Sequence, residues 1–184
     1  MLFNSYTFIF AFLPVTLAGF FVLGRFQPKL ATAWLVAASL FFYGWWNPLY
    51  VGLLVLSICF NYACGVAIAR SVVAGSDRAR KRMLIFAIAV NLAVLGYYKY
   101  ANFFLASVND AAGSAWSLGD IVLPLGISFF TFTQIAFLAD AYRGLAREYS
   151  FVHYSLFVTY FPHLIAGPVL HHAEMMPQFG ARET

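Results

Sequence analysis

The stretch Leu123–Gly144, LPLGISFFTFTQIAFLADAYRG, decides how this chain is read. It is apolar enough for a membrane, yet Ser128, Thr131 and Gln134 recur in it at three-residue spacing, which sets them on one broad face of a helix. Pro124 and Gly126 interrupt it near its start, and Asp140, Tyr142 and Arg143 close it. Hydrocarbon offers such groups no partner, so polar side chains within a span face a protein interior or a wet cavity. Ser128, Thr131, Gln134 and Asp140 are therefore candidate cavity-lining residues.

Composition agrees with a membrane setting. The chain is 62% hydrophobic, 20% aromatic and only 10% charged, where soluble domains carry about 25% charged residues. The formal net charge of +4 does not point to nucleic acid, because the cations sit in loops between apolar runs, as topology determinants do. No Gly-rich phosphate loop or metal-spaced Cys/His cluster is present, so neither nucleic acid nor a metal is expected as a ligand. Cys59 and Cys64 share one apolar segment, a position that suits packing and argues against a disulfide. No Lys or Arg precedes the first apolar run, so it reads as a retained span and not as a signal peptide.

A span needs about 20 apolar residues. The chain supplies six candidates: Tyr6–Leu23, Leu30–Trp46, Leu49–Ala69, Met83–Leu105, Ile121–Leu138 and Phe151–Leu170. The expected fold is all-α, a polytopic transmembrane helix bundle of about six spans over residues 1–184. Pro124 and Gly126 leave open a re-entrant or partly unwound fifth segment. Arg25 and Lys29 fall between spans one and two; Arg70, Arg78, Arg80, Lys81 and Arg82 between three and four; Arg143 and Arg147 between five and six. The positive-inside rule makes those loops cytoplasmic and the N-terminus external. The cation-free stretch Ala106–Asp120 reads as a flexible loop or short surface element, and Asn47–Pro48 as a tight hairpin edged by Trp45, Trp46 and Tyr50, an interfacial aromatic belt.

Several polar residues carry two readings. Lys99, in GYYKYANFF, either snorkels to the headgroups or lines a cavity for an anionic substrate. Asn61, mid-span in SICFNYACG, reads as an interhelical hydrogen-bonding residue. His163, in YFPHLIAGP, is a candidate cavity residue or a helix-bundle hydrogen-bond partner, and His171 and His172 mark an interface. Pro162, Gly167 and Pro168 make the sixth segment irregular, and broken helices at membrane depth line cavities. Gly167 joins the candidate wall on that ground.

These residues resemble the membrane-bound O-acyltransferase (MBOAT) family, in its bacterial alginate-acetylating branch. The likeness is carried by LFNSYTFIFAFLPVTLAGFF (Leu2–Phe21), ASLFFYGWWNPLY (Ala38–Tyr50), GYYKYANFF (Gly96–Phe104), Leu123–Gly144, and YFPHLIAGPVLHHAEMMPQF (Tyr160–Phe179). It implies transfer of an acyl group, acetyl in that branch, from a cytoplasmic thioester donor such as acetyl-CoA to an exported polysaccharide such as alginate, with periplasmic acetyltransferase partners. It also implies a multi-pass protein of the bacterial inner membrane, with membrane lipid around it and no bound cofactor. Members of the family are more than twice this length, with a catalytic histidine in a later apolar segment. The chain is thus expected to be an N-terminal portion, inactive alone, whose catalytic residue lies beyond Thr184. His163 does not match that histidine's motif. The rival expectation is a transporter or channel-like component, since transporters also use broken segments and polar midspan residues.

Overall fold

The computed structural model describes residues 3–73, 75–119, 121–145 and 150–162. Among these residues there is no strand. A π-helical turn, Phe8–Phe12, leads into α1 (Leu13–Phe26), followed by α2 (Pro28–Trp46), α3 (Leu49–Val73), α4 (Asp77–Ala112), α5 (Ile127–Arg143) and α6 (Phe151–Thr159). Three stretches are long and apolar enough to cross a membrane: Phe8–Phe26, Leu49–Ser71 and Asp77–Ala112. The chain is an all-α membrane protein.

Local sequence explains the boundaries. Pro14 has no N–H to return to the preceding turn and its ring crowds that turn's carbonyl. The helix widens just before it, where Leu13 N–H bonds Phe8 O, five residues back, and continues without a break. Asn47 and Pro48 separate α2 from α3, and Asn47 Oδ1 accepts the Leu49 N–H at 3.0 Å.

Two expectations are corrected. The helix expected over Met83–Leu105 runs on to Ala112, so the first part of the Ala106–Asp120 stretch is helical and not loop. Its 36 residues extend about 54 Å, well beyond the ~30 Å hydrocarbon core. Gly113, left-handed at φ 62°, ends it by bonding Asn109 O. Asn109 then holds the returning chain, donating to Trp116 O at 2.7 Å and accepting from Ser114 Oγ at 2.8 Å. The fifth helix starts at Ile127 and not at Ile121. Gly126, at φ 68°, sits at its mouth, and Pro124 O accepts the Ile127 N–H at 3.2 Å. Residues 121–126 are unwound, and Tyr50 Oη donates to Val122 O at 2.7 Å to hold them on α3.

Helices α3, α4 and α5 pack against one another, while α1 pairs with α2 and α6 lies mainly on α2. The larger core joins Leu54, Ile58 and Ile68 of α3, Ala87 and Leu95 of α4, Phe130 and Phe137 of α5, and Tyr154 and Phe157 of α6. A second, aromatic core gathers Phe8, Phe12, Phe42 and Phe161. Of the expected span Phe151–Leu170, the described part ends at Pro162; His163, Gly167, His171 and His172 lie outside the described residues.

Candidate functional site

Four polar side chains meet where α3, α4 and α5 face each other. On α3, Ser57 and Asn61 stand one turn apart on the same face. Asn61 is the midpoint of the helix, twelve residues from each end, and is fully buried. Asn91 of α4 and Gln134 of α5 close on it from either side, 5% and 0% exposed. Asn61 Nδ2 donates to Asn91 Oδ1 at 3.1 Å, and Asn91 Nδ2 returns a bond to Asn61 Oδ1 at 2.6 Å. Asn61 Nδ2 also bonds Gln134 Oε1, which accepts a second hydrogen bond from Ser57 Oγ at 2.8 Å. Asn91 Nδ2 additionally caps Ala87 O of its own helix at 2.8 Å.

This junction ties three helices at one depth. Interhelical hydrogen bonds of this kind are worth about 0.6 kcal/mol each in membranes, up to ~2. Breaking one costs more than its net worth, because the abandoned partner stays buried. Asn61 thus acts as the helix-joining residue expected of it. Asn91 completes the junction and was not singled out from sequence, although a lone amide in AIAVNLAV, within a run otherwise apolar, is the same signal that marked Asn61.

Gln134 is only half satisfied. Its Oε1 is engaged twice, while its Nε2 is buried with no partner among the described residues. Asn61 Nδ2 is held as a donor by Ser57 O at 3.0 Å, so the Gln134 end that meets it is the acceptor Oε1 and the end left over is the donor Nε2. Thr133 Oγ1 beside it, Asp140 Oδ2, and the Tyr43 and Tyr154 hydroxyls are also buried without a partner among the described residues. Tyr154 lies against Phe137 of α5, ring centroids 4.3 Å apart. Such groups can donate to or accept from a polar molecule held in the bundle.

The wall expected along α5 divides into three levels. Thr131 lines a cavity of about 250 Å³ together with Ser57 and Asn91, at the level of the junction. Ser128 sits at the start of α5, half-buried, where Lys99 Nζ lies 3.5 Å from its Oγ and 5.4 Å from the Tyr100 ring centre. Lys99 is exposed there. Asp140 lies at the other end, twelve residues and about 18 Å from Ser128. Ser128 and Asp140 therefore serve different depths, and Gln134 and Thr131 hold the middle. Beside Asp140, Arg80 bridges Asp77 at 3.0 Å and covers the Tyr142 ring at 4.5 Å.

Among the described residues, no three His, Cys, Asp or Glu side chains converge as a metal site. Both cysteines are free thiols, Cys59 exposed and Cys64 buried. His153, the one histidine among the described residues, is half-buried in the first turn of α6.

Comparison with known proteins gives this geometry its context. The chain is 42% identical to a peptidoglycan O-acetyltransferase of Helicobacter pylori over 97% of its length, covering 38% of that protein. It is 40% identical to a probable alginate O-acetylase AlgI of Pseudomonas aeruginosa over 99% of its length, covering 35% of that protein. A third relative, a probable alginate O-acetylase AlgI of Azotobacter vinelandii, is 38% identical over 99% of the chain and is covered to 36%. The chain thus spans little more than a third of the length of these curated relatives. No family model matches it, and no solved structure matches it.

Proposed function

We propose, for a chain homologous over nearly its whole length to membrane-bound O-acyltransferases, that it is the part of a membrane O-acetyltransferase that builds one wall of the transfer cavity. The observation that carries this reading is the end-to-end likeness to relatives named as O-acetyltransferases of peptidoglycan and alginate. The half-satisfied amide of Gln134 at mid-bundle supports the placement of that wall.

The chemistry suits such a cavity. In O-acetylation from a thioester such as acetyl-CoA, an acceptor hydroxyl attacks the thioester carbonyl, a C–O bond forms, and the C–S bond breaks. The hydroxyl proton passes to a base and then to the departing thiolate. A thioester is already activated, so the enzyme's work is to align the partners, accept that proton, stabilise the oxyanion and exclude water. Apolar helices exclude water, and unpaired donors such as Gln134 Nε2 can orient a carbonyl. No residue of this chain is assigned the role of base.

In this reading the acceptor is an exported polysaccharide, delivered on the outer side of a bacterial inner membrane with periplasmic acetyltransferase partners. The helix ends carrying Arg25 and Lys29, Arg70 and Arg78–Arg82, and Arg143 face the cytoplasm, with the N-terminus outside.

The test is acetyl transfer by the full-length protein in proteoliposomes, with labelled acetyl-CoA on one side and polysaccharide on the other. Label in ester linkage to the polysaccharide is the expected result. Label that crosses the membrane as free acetate or intact donor, with no ester formed, would favour the transporter reading and overturn this one.

A further inference from the structure

Along α4, Arg78, Arg82, Phe86, Val90 and Val94 recur every fourth residue, so they form one continuous row that winds about 40° around the helix at each step. The ridge begins with charge. Arg78 and Arg82 are exposed, with exposed Lys81 beside them. Arg80 points elsewhere and is already engaged, bridged to Asp77 and laid over Tyr142. Of the other described acidic residues, Asp140 is buried and Asp110 lies at the far end of α4. The three ridge-side cations therefore have no carboxylate partner among the described residues.

The ridge then turns apolar. Phe86 meets Phe60 of α3 edge-on at 6.1 Å. Beyond that pair, Val90 and Val94 face Leu53 and Leu56 across the cavity of about 250 Å³ described above. Leu56 is 69% exposed, so the cavity opens on the outside of the helix pair, where hydrocarbon lies. Ser57, Asn91 and Thr131 also line it, beside Phe130, and its surface is almost wholly apolar. From Arg82 to Val94 the ridge runs about 18 Å, a length suited to a headgroup at one end and a fatty acyl chain along the rest.

We propose that this ridge and groove seat one anionic glycerophospholipid. Its phosphate lies over Arg78, Lys81 and Arg82, and one acyl chain passes Phe86 into the groove between α3 and α4. Charge complementarity selects the anionic headgroup, since each cation near a membrane surface contributes about 1 kcal/mol to binding it. The apolar groove, open to hydrocarbon and continuous with the cations, selects a lipid over a soluble anion, which would leave it unfilled. The chain so placed covers Ser57 and Asn91, shielding the polar junction from the bilayer. This inference does not depend on the acetyltransferase reading.

The experiment uses the full-length protein, delipidated in detergent and offered phosphatidylglycerol or phosphatidylcholine with identical chains, with retained lipid read by native mass spectrometry. The wild type is expected to retain phosphatidylglycerol preferentially. Arg78→Gln with Arg82→Gln should lower that retention roughly thirtyfold and leave phosphatidylcholine unchanged. Val90→Trp, which fills the groove, should lower retention of both lipids. Phosphatidylglycerol with a photoreactive diazirine at mid-chain should label Leu53–Phe60 and Phe86–Val94 in the wild type, a readout that stands even where the Trp variant fails to accumulate. Unchanged retention in the double arginine variant, or labelling confined to other helices, would overturn the proposal. Displacement of the lipid by inorganic pyrophosphate would overturn it too, by assigning the cations to a soluble anion.

Discussion

Between α1 and α2 the contact is made of rings and small residues, and between α3, α4 and α5 it is made of amides. The indole of Trp34 lies over Gly19, where any Cβ would collide with it, and its Nε1–H bonds Thr16 O at 3.0 Å. Phe12 stacks on Phe41 and meets Phe42 at a tilt nearby. In the three-helix unit, Gly65 gives the same close approach to the Phe137 ring, but Asn61, Asn91, Gln134 and Ser57 then lock the helices. Lipid tails are as apolar as leucine, so burial alone does not hold helices together in a membrane. The first pair relies on shape; the second unit adds groups whose alternative partner is hydrocarbon.

The largest effect should come from breaking the shape match inside the amide-locked unit. Gly65→Leu drives a branched side chain into Phe137, an overpacking cost of about 1–3 kcal/mol or more. It should cut accumulation and the thermal midpoint of the full-length protein in detergent, and Phe137→Ala in the same chain should restore part of both. If Gly65→Leu matches the wild type, α3 and α5 do not approach as described.

Next comes the junction itself. Asn61→Leu takes from Asn91 both halves of its reciprocal pair and from Gln134 Oε1 one of its two donors, and Gln134→Leu takes the shared acceptor from Ser57 Oγ and Asn61 Nδ2, each at about 1–2 kcal/mol. Asn61→Leu combined with Asn91→Leu should cost less than the sum of the singles, because it removes both halves of a reciprocal pair. Strict additivity in a thermal-unfolding cycle would show that the two amides do not interact.

A smaller loss is expected from Trp34→Phe, which keeps a ring over Gly19 and deletes one hydrogen bond worth about 0.5–1.5 kcal/mol. A loss as large as that of Asn61→Leu would erase the contrast between the two units. Smallest of all is Arg80→Gln. Its bridge to Asp77, exposed on the carboxylate side, and its contact with Tyr142 together contribute about 1 kcal/mol, and raised salt should shrink the difference from wild type.

Much of this could be read along the chain, and particular residues show where reading stopped. Asn61 announces itself because an amide has no place in hydrocarbon without a partner. Its partners do not, since Asn91 is 30 residues away and Gln134 is 73. The stop at Gly113 was visible as a glycine, yet the apolar-run rule ended the helix at Leu105, because hydropathy measures the bilayer and not the helix. The α5 face looked like one polar wall, and its 18 Å length separates Ser128 from Asp140. Likewise Arg78–Arg82 reads as a topology signal, and the fourfold spacing into Phe86, Val90 and Val94 gains meaning only beside Phe60 and Leu56 of α3.

The sequence alone determined that the chain is helical and membrane-embedded, because apolarity and the length of apolar runs are local quantities that one strand of text carries, and its quoted stretches carried the likeness to O-acyltransferases. Tertiary structure alone decided which polar groups find each other. A hydrogen bond or a groove between helices depends on their rotation and depth relative to one another. Those are set by contacts such as Gly65 on Phe137, between residues far apart in the chain.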